Sequence, residues 1–480
     1  MRLSTKHEAQ QSVTLYDFSG GLNTSNAEEM IGANDLSVSI NMEIDSSTGL
    51  IKTVQGTKDI YKDITKTFTN GFYANIADLF ILTDSEQKVY TLTTDGQTIK
   101  EIGTLTGKNL PSFADWEDGV IIMSGGKPQY YHEGTLETIT DEDSPNGLGV
   151  FVKDGRIVTF YDDILKFSGT GDEHNWKNDS NNEASSQWIQ IGYKDGGKIV
   201  GVCNLFSDIL IFKDNGHAYR LSGKYPNWAV NEIGRNIECK GLGCYCALTN
   251  SAIVLGESTM QAITTTQTYG DMRADNIGLK VKTDITKMPQ GVKLRYVAPL
   301  NQIWMITGST KFLFFDANCN GYFERQYNTG INDVFVVDNE VYVLKASGVS
   351  KLVDSTMEDN GSPLRWEFRA KSIPSRNEYL IKRCYVDITP YLYKESGYFS
   401  VGRMLVTADL TTVSNILYHG GKEIYHNPEY IYGNRTYIVS LSANRYNLRC
   451  VDREKIIRIH GYGMGNRLLV NSISFEIVEV

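Results

Sequence analysis

The sequence predicts an all-β protein built around a β-propeller of six to eight blades. A short apolar segment recurs about every 44 residues along most of the chain, and helical periodicity is almost absent. The 480 residues also include 44 Gly, 28 Tyr and 18 Phe but only 10 Pro. Aromatic residues favour strands and glycine favours tight turns, so this composition suits many short strands.

The repeat consists of seven apolar segments, each entered through a turn. They are residues 78–82, 119–123, 155–160, 208–212, 252–255, 302–306 and 340–344. Several are followed by a second apolar stretch, such as residues 89–92 and 312–315. Paired strands at this period are typical of a propeller blade, whose inner strands are covered on both faces. A series of β-sandwiches with regularly spaced strands is the alternative.

Three regions are expected along the chain. Residues 1–60 match neither pattern and are interpreted as an N-terminal arm with entry strands, and residues 61–364 as the propeller. Polar and apolar residues alternate in segments 382–388 and 472–476, which is typical of half-exposed antiparallel strands. Residues 365–480 are therefore expected to form a C-terminal antiparallel domain similar to a β-sandwich.

Three local segments have their own interpretations. Residues 26–36 are the best helix candidate, with Ser25 as a possible cap. The polar stretch 169–186 is interpreted as an insertion on one rim of the propeller. The glycine-rich stretch 461–465 does not precede a helix, so a hairpin turn is favoured over a phosphate-binding loop.

Charge and composition exclude several classes of protein. The 57 acidic and 47 basic residues give a net charge of −10, which argues against a free-standing nucleic-acid binder. Apolar runs are too short for a membrane helix, and the first residues do not resemble a signal peptide. Seven scattered cysteines do not suggest a disulfide framework, so buried free thiols are expected.

Two groups of residues raise the question of a metal site. Cys239, Cys244 and Cys246 are close in sequence, but zinc needs a fourth ligand and none lies nearby, so buried strand positions are favoured. Residues 316–321 match the start of a calcium loop, but Tyr327 stands where a bidentate glutamate is required. A hairpin turn is favoured, and cation binding by residues 316–320 is left open. No metal or cofactor is predicted.

Two acidic groups raise the question of glycoside hydrolysis. Asp115, Glu117 and Asp118 lie beside a tryptophan, and Asp162 and Asp163 lie beside a tyrosine. Such chemistry needs two carboxylates at a set separation, which adjacency in sequence does not establish. Since phosphate-binding, dinucleotide-binding and nucleophile motifs are also missing from the sequence, no catalytic residue is predicted and no enzymatic activity is expected.

The first 60 residues contain a series of short motifs. Residues 16–24 read YDFSGGLNT, residues 41–45 read NMEID, residues 49–52 read GLIK and residues 56–57 read GT. This order resembles the tail stabilisation or nozzle proteins of short-tailed phages.

Later segments extend the resemblance, since residues 168–176 and the terminal segments 456–461 and 472–477 are also similar to that family. Val54 and Gln55 depart from its pattern, because members often carry Arg-Pro or Arg-x-Gly before the Gly-Thr turn.

The resemblance implies a structural protein of the virion tail, assembled in the host cytoplasm. Its relatives form a homohexameric ring below the portal and adaptor, which retains DNA and then conducts it during ejection without binding it specifically. The implied partners are other copies of the chain, portal-adaptor proteins and tail components such as fibres or a needle, with no membrane. The alternative function is a glycan- or receptor-binding propeller, such as a tail-tip adhesin or a glycosidase.

Overall fold

The protein contains a seven-bladed propeller. The computed structural model describes residues 10–28, 30–265, 272–371, 373–390, 403–410, 414–417, 437–438, 444–455, 457–462 and 467–479. Each blade is a four-stranded antiparallel sheet, with strands a to d numbered outwards. Strand a is innermost, because the a strands of neighbouring blades contact one another. The predicted propeller is confirmed.

Blades 1 to 6 each use one continuous stretch of chain. In blade 1, strands a to d are Phe68–Ala74, Leu79–Asp84, Lys88–Thr93 and Ile99–Thr104. In blade 2 they are Ser112–Trp116, Gly119–Met123, Gln129–His132 and Thr135–Thr138. In blade 3 they are Val150–Lys153, Arg156–Tyr161, Ile164–Phe167 and Gln187–Gln190. In blade 4 they are Ile199–Leu205, Asp208–Lys213, Ala218–Ser222 and Ala229–Gly234. In blade 5 they are Tyr245–Ala247, Ser251–Leu255, Met260–Thr265 and Met272–Asn276. In blade 6 they are Lys293–Val297, Gln302–Ile306, Lys311–Asp316 and Gly321–Gln326.

Blade 7 closes the ring with a strand from the start of the chain. Its strands a to c are Ile331–Val337, Glu340–Lys345 and Gly348–Val353, and its strand d is Gly56–Lys62, which pairs antiparallel with strand c. Strand d precedes blade 1 in sequence, so hydrogen bonds join the two ends of the propeller. The boundary expected at residue 60 falls within this strand.

The seven apolar segments of the sequence correspond to the seven b strands. Gly119–Met123 and Gln302–Ile306 are buried along their whole length. Strands a and c flank each b strand within its blade, and neighbouring blades cover its faces, so both sets of side chains are removed from water. The polar stretch expected to be an insertion lies between strands c and d of blade 3.

Segments from both termini form further sheets beside blades 6 and 7. One sheet contains Gln10–Leu15, Met42–Ile44, Ile51–Thr53, Ile373–Pro390, Asn444–Lys455 and Leu468–Glu479. A second continues blade 6 with Gly21–Leu22, Asp35–Ile40, Arg365–Ala370, Arg403–Leu410, Ser414–Leu417, Tyr437–Ile438 and Ile457–Tyr462. The hairpin of Glu358–Asp359 and Ser362–Pro363 lies beside strand d of blade 7.

These two sheets share one core with blades 6 and 7. Ile51 and Ile473 from the first sheet and Trp366 and Phe368 from the second are buried in the same cluster, together with Trp304 of blade 6. Antiparallel strands are present after residue 365, as the alternating segments predict, while the bounds of a separate C-terminal domain stay a prediction. Strands from residues 35–53, which the sequence suggests belong to an arm, lie in the same two sheets.

Helices are few in the described part of the chain. Leu279–Val281 and Ala298–Leu300 are 3₁₀ turns, and Lys282–Lys287 is a short α-helix. The helix predicted at residues 26–36 is wrong, because Asp35 accepts a hydrogen bond from the Gly32 backbone at 3.0 Å and begins a strand instead. No described helix is long and apolar enough to cross a membrane.

Candidate functional site

The N-terminal motifs meet blade 6 and the last strand in a buried group of charges. We call Glu43, Arg325 and Arg467 the seam cluster. One carboxylate oxygen of Glu43 lies 2.6 Å from the Arg325 guanidinium, and the other lies 2.6 Å from Arg467. All three side chains are at most 3% exposed. The cluster therefore links three distant parts of the sequence: the N-terminal segment, blade 6 and the C-terminal sheet.

The remaining contacts of the two arginines hold them in place. Arg325 lies over the Trp304 ring, 4.6 Å from its centroid, and donates to the side-chain oxygens of Gln55 and Gln302. Arg467 donates to the Thr53 carbonyl at 2.9 Å and 2.7 Å. Gln55, at the position where the sequence departs from the phage-protein pattern, is thus part of this network.

Electrostatics favour the ionised form of Glu43. Burial by itself would raise the pKa of this carboxyl group, but Arg325, Arg467 and Lys52 outweigh burial and hold the pKa below its ordinary value. The two arginines are similarly dependent on the carboxylate, since a buried cation is stable only with a partner. The carboxylate and the two guanidinium groups therefore stabilise one another, and removing any one of them would leave a buried charge without that partner. We refer to this contact between the three chain segments as a joint.

Asp316 lies beside the seam cluster and shares the Gln302 side chain with it. It ends strand c of blade 6, residues 317–320 form the turn to strand d, and the Asn318 backbone donates to its carboxylate at 2.9 Å. Gln302 donates both to Asp316, at 3.4 Å, and to Glu43, at 3.2 Å. Burial, with a contribution from Glu43, raises the pKa of Asp316 to about 6.

Replacing Asp316 by asparagine is expected to change the pH dependence of stability. The folded protein holds the proton more tightly than the unfolded chain, so ionisation of Asp316 lowers the free energy of unfolding as pH rises from about 4 to about 7. A shift of this size corresponds to about 3 kcal/mol. Urea unfolding should show Asp316→Asn gaining stability relative to the wild type over that range. A difference between the two proteins that is constant with pH would contradict this.

Other motif residues are also bound into the framework. The Asn41 side chain donates to the Gln326 and Arg365 carbonyls, each at 2.7 Å, which joins blade 6 to the strand Arg365–Ala370. Thr57 donates to Asp359 at 2.6 Å, and Phe18 packs edge-on against Phe368. The residues that carry the resemblance thus connect the propeller to the terminal sheets.

A cavity, which we call the central cavity, lies among the a strands. Its lining includes Phe72 and Phe113, which stack with ring centroids 5.5 Å apart, and Arg295, which pairs with the buried Asp333 at 2.8 Å. The cavity measures about 410 Å³. The cavity has the volume of a small-molecule site.

Of the three cysteines that are close in sequence, Cys244 is buried, and Cys239 and Cys246 are half-buried against the same apolar cluster. Cys244 and Cys246 lie at strand a of blade 5, and Cys239 lies in the connection before it. Burial raises the pKa of Cys244 and Cys246 to about 12. At neutral pH these two groups are therefore thiols and not thiolates. Among the described residues, no group of three His, Cys, Asp or Glu side chains is arranged to hold a metal ion.

The structure does not bring the two acidic groups together. Glu117 and Asp118 form the turn between strands a and b of blade 2, whereas Asp162 and Asp163 form the turn between strands b and c of blade 3. These turns lie at opposite ends of the b strands and therefore on opposite faces of the propeller. Asp115 belongs to strand a of blade 2 and has a pKa raised by burial.

The sequence does not predict the seam cluster. Glu43 belongs to one of the N-terminal motifs, but its two arginine partners lie 282 and 424 residues away. A charged residue inside a predicted strand is a weak sign of such a partner. Residues 463–466, which include most of the glycine-rich stretch, lie outside the described residues.

Comparisons with known proteins return other propellers. No protein-family model and no curated protein sequence matches the chain. Among solved structures, YCF48 from Cyanidioschyzon merolae has a TM-score of 0.42 at 9% identity, covering 62% of this chain and 98% of its own. BamB from Moraxella catarrhalis has a TM-score of 0.39 at 10% identity, covering 72% and 97%. The Pan2 WD40 domain from Neurospora crassa has a TM-score of 0.42 at 9% identity, covering 63% and 94%. Similarity at this level says nothing about function.

Proposed function

We propose that the protein is a non-enzymatic structural component of a phage tail. In this proposal, copies of the chain form a homohexameric ring below the portal and adaptor, and the ring retains DNA and then conducts it during ejection. The observation that carries the proposal is the position of the motif residues. Asn41 and Glu43 of the N-terminal motifs that resemble tail nozzle proteins take part in one buried joint between the propeller and the terminal sheets.

The chemistry of this joint supports a mechanical role. Its charged groups are occupied by one another: Glu43 binds both arginines, and Arg467 also binds Asp354 at 2.8 Å. A catalytic group instead needs access to a substrate. Side chains used in this way fix two parts of a subunit against each other, which is what a load-carrying ring component requires.

In this proposal the DNA channel lies between subunits, at the centre of the ring. The cavity among the a strands of one propeller has a volume of about 410 Å³, typical of a small-molecule site, and is not the channel. The net charge of −10 suits such a passage, because like charge repels phosphate and keeps DNA from adhering. Portal-adaptor proteins and fibres or a needle would contact the outer faces of this ring in the virion.

The stoichiometry of the chain in virus particles tests this proposal. Quantitative mass spectrometry of purified particles should count the chain at about one-half of the portal protein, as for a six-fold ring below a twelve-fold portal. The portal serves as the internal standard, and a major capsid peptide checks recovery. Absence of the chain from particles would overturn the proposal, and a clearly different ratio would overturn the ring.

A further inference from the structure

A cavity of about 380 Å³ lies between blades 3 and 4, on the face that carries the turns between strands a and b. Its walls come from the turns between strands c and d of the two blades, residues 168–186 and 223–228. Sites for small ligands have volumes of this order. This cavity shares no lining residue with the central cavity and is separate from the seam cluster.

Aromatic rings line one side of this cavity. Trp228 stacks on Phe167, with ring centroids 4.5 Å apart and planes inclined by 28°. Tyr225 meets Trp228 edge-on at 5.3 Å. Phe167 is buried and Trp228 is partly buried, so the core supports the indole while part of it lines the cavity. The result is a supported aromatic surface.

A buried arginine supports the wall that the polar insertion forms. The Arg156 guanidinium donates to the carbonyls of Ser168 and Ser185 at 2.7 Å and 2.6 Å, and to that of Glu183 at 2.5 Å. These bonds fix both ends of the polar insertion. Arg156 itself is 7% exposed, so a buried residue anchors this wall. Most residues of the wall are nevertheless polar.

The rim of the cavity carries groups with free hydrogen-bonding capacity. Within the described ranges, the exposed side chains of Glu183 and Thr170 have no hydrogen-bond or ion-pair partner. The Lys224 side chain is 81% exposed, and its ammonium group lies 3.6 Å from the Asp154 carboxylate. This distance is long for an ion pair, so a ligand could take the place of Asp154 as the partner of Lys224. The rim therefore offers an acceptor, a hydroxyl group and a cation around the aromatic surface.

We propose that this cavity binds a saccharide unit, with one sugar face against Trp228 and the hydroxyl groups bound by Glu183, Thr170 and Lys224. A sugar presents both C–H faces and hydroxyl groups, which matches an aromatic surface surrounded by polar side chains. A cationic ligand is less suited, because the lining has three cations, Lys153, Arg156 and Lys224, against two carboxylates. A purely apolar ligand would leave the rim groups desolvated without partners.

An array of immobilised neutral and uronic-acid-containing oligosaccharides tests this site with the full-length chain. We expect the wild type to bind at least one class of glycan, and Trp228→Ala to weaken that binding by about tenfold or more. Glu183→Gln should weaken it several-fold, since one charged acceptor is lost. The matched control is Trp188→Ala, which removes an indole that is 55% exposed on blade 3 but does not line the cavity.

Several outcomes would overturn the proposal: no binding to any glycan at millimolar concentration, equal binding by the wild type and Trp228→Ala, or equal losses in the Trp228 and Trp188 variants. Binding of a lysine-rich peptide in place of glycans would also do so. If Trp228→Ala does not fold, Glu183→Lys changes only an exposed rim group and must still reduce binding. The assay uses the isolated chain, so its result is independent of ring assembly.

Discussion

Replacing Glu43 by glutamine is expected to lower the free energy of unfolding by about 3–5 kcal/mol. The change keeps the shape of the side chain but removes the carboxylate that lies 2.6 Å from both Arg325 and Arg467. Two buried guanidinium groups would then lose the carboxylate that lies between them. Urea unfolding monitored by tryptophan fluorescence measures the loss.

The matched control for this variant is Glu340→Gln. Glu340 also forms an ion pair, with Lys351 at 2.5 Å, but its side chain is 49% exposed. Water replaces a lost partner at such a position, so the expected change is within about 1 kcal/mol. Equal losses in the two variants would show that the seam cluster is not a special joint.

Replacing Gly348 by alanine is expected to destabilise the ring closure by about 2–4 kcal/mol. Gly348 begins strand c of blade 7, and a Cβ atom at this residue would lie 2.0 Å from the Tyr61 carbonyl oxygen in strand d. That oxygen belongs to the backbone of Gly56–Lys62, so the closing strand itself has to move. Hydrogen exchange of amides in residues 56–62 should accelerate, and the melting temperature should fall.

Gly361→Ala separates this clash from the cost of the backbone conformation. Gly361 has a φ of 80°, but a Cβ atom there would meet nothing within 4 Å. Alanine at that position should cost about 1–2 kcal/mol through the backbone alone and leave exchange of residues 56–62 unchanged. If Gly348→Ala had no larger effect than this control, strand d would not be the element that closes the ring.

The fold could be predicted from the sequence because the blades are local. Each of blades 1 to 6 folds from one stretch of chain, and the b strand of every blade is buried on both faces, so it appears as an uninterrupted apolar segment. Turn residues mark the strand ends, since Asp78, Glu117 and Asp154 adopt positive φ between strands a and b. Local burial and local turns both leave traces in adjacent residues.

The candidate sites could not be predicted in the same way. The cavity between blades 3 and 4 depends on two turns that are separated by about 50 residues and brought together only by neighbouring blades. Trp228 alone gives no sign that it stacks on Phe167. In contrast, the two acidic groups that suggest hydrolysis could be found because the residues within each group are neighbours in sequence. The turns that carry the two groups nevertheless lie on different faces of the propeller.

The sequence by itself determined the strand period, the all-β class and the apolar surroundings of the cysteines within the described residues, such as Cys203 and Cys244, because each depends on residues within one blade or turn. Only the tertiary structure decided that Gly56–Lys62 completes blade 7 and that Glu43 binds Arg325 and Arg467. The physical reason is that a buried charge and an unpaired strand edge both need a partner, but neither requires that partner to be near in sequence.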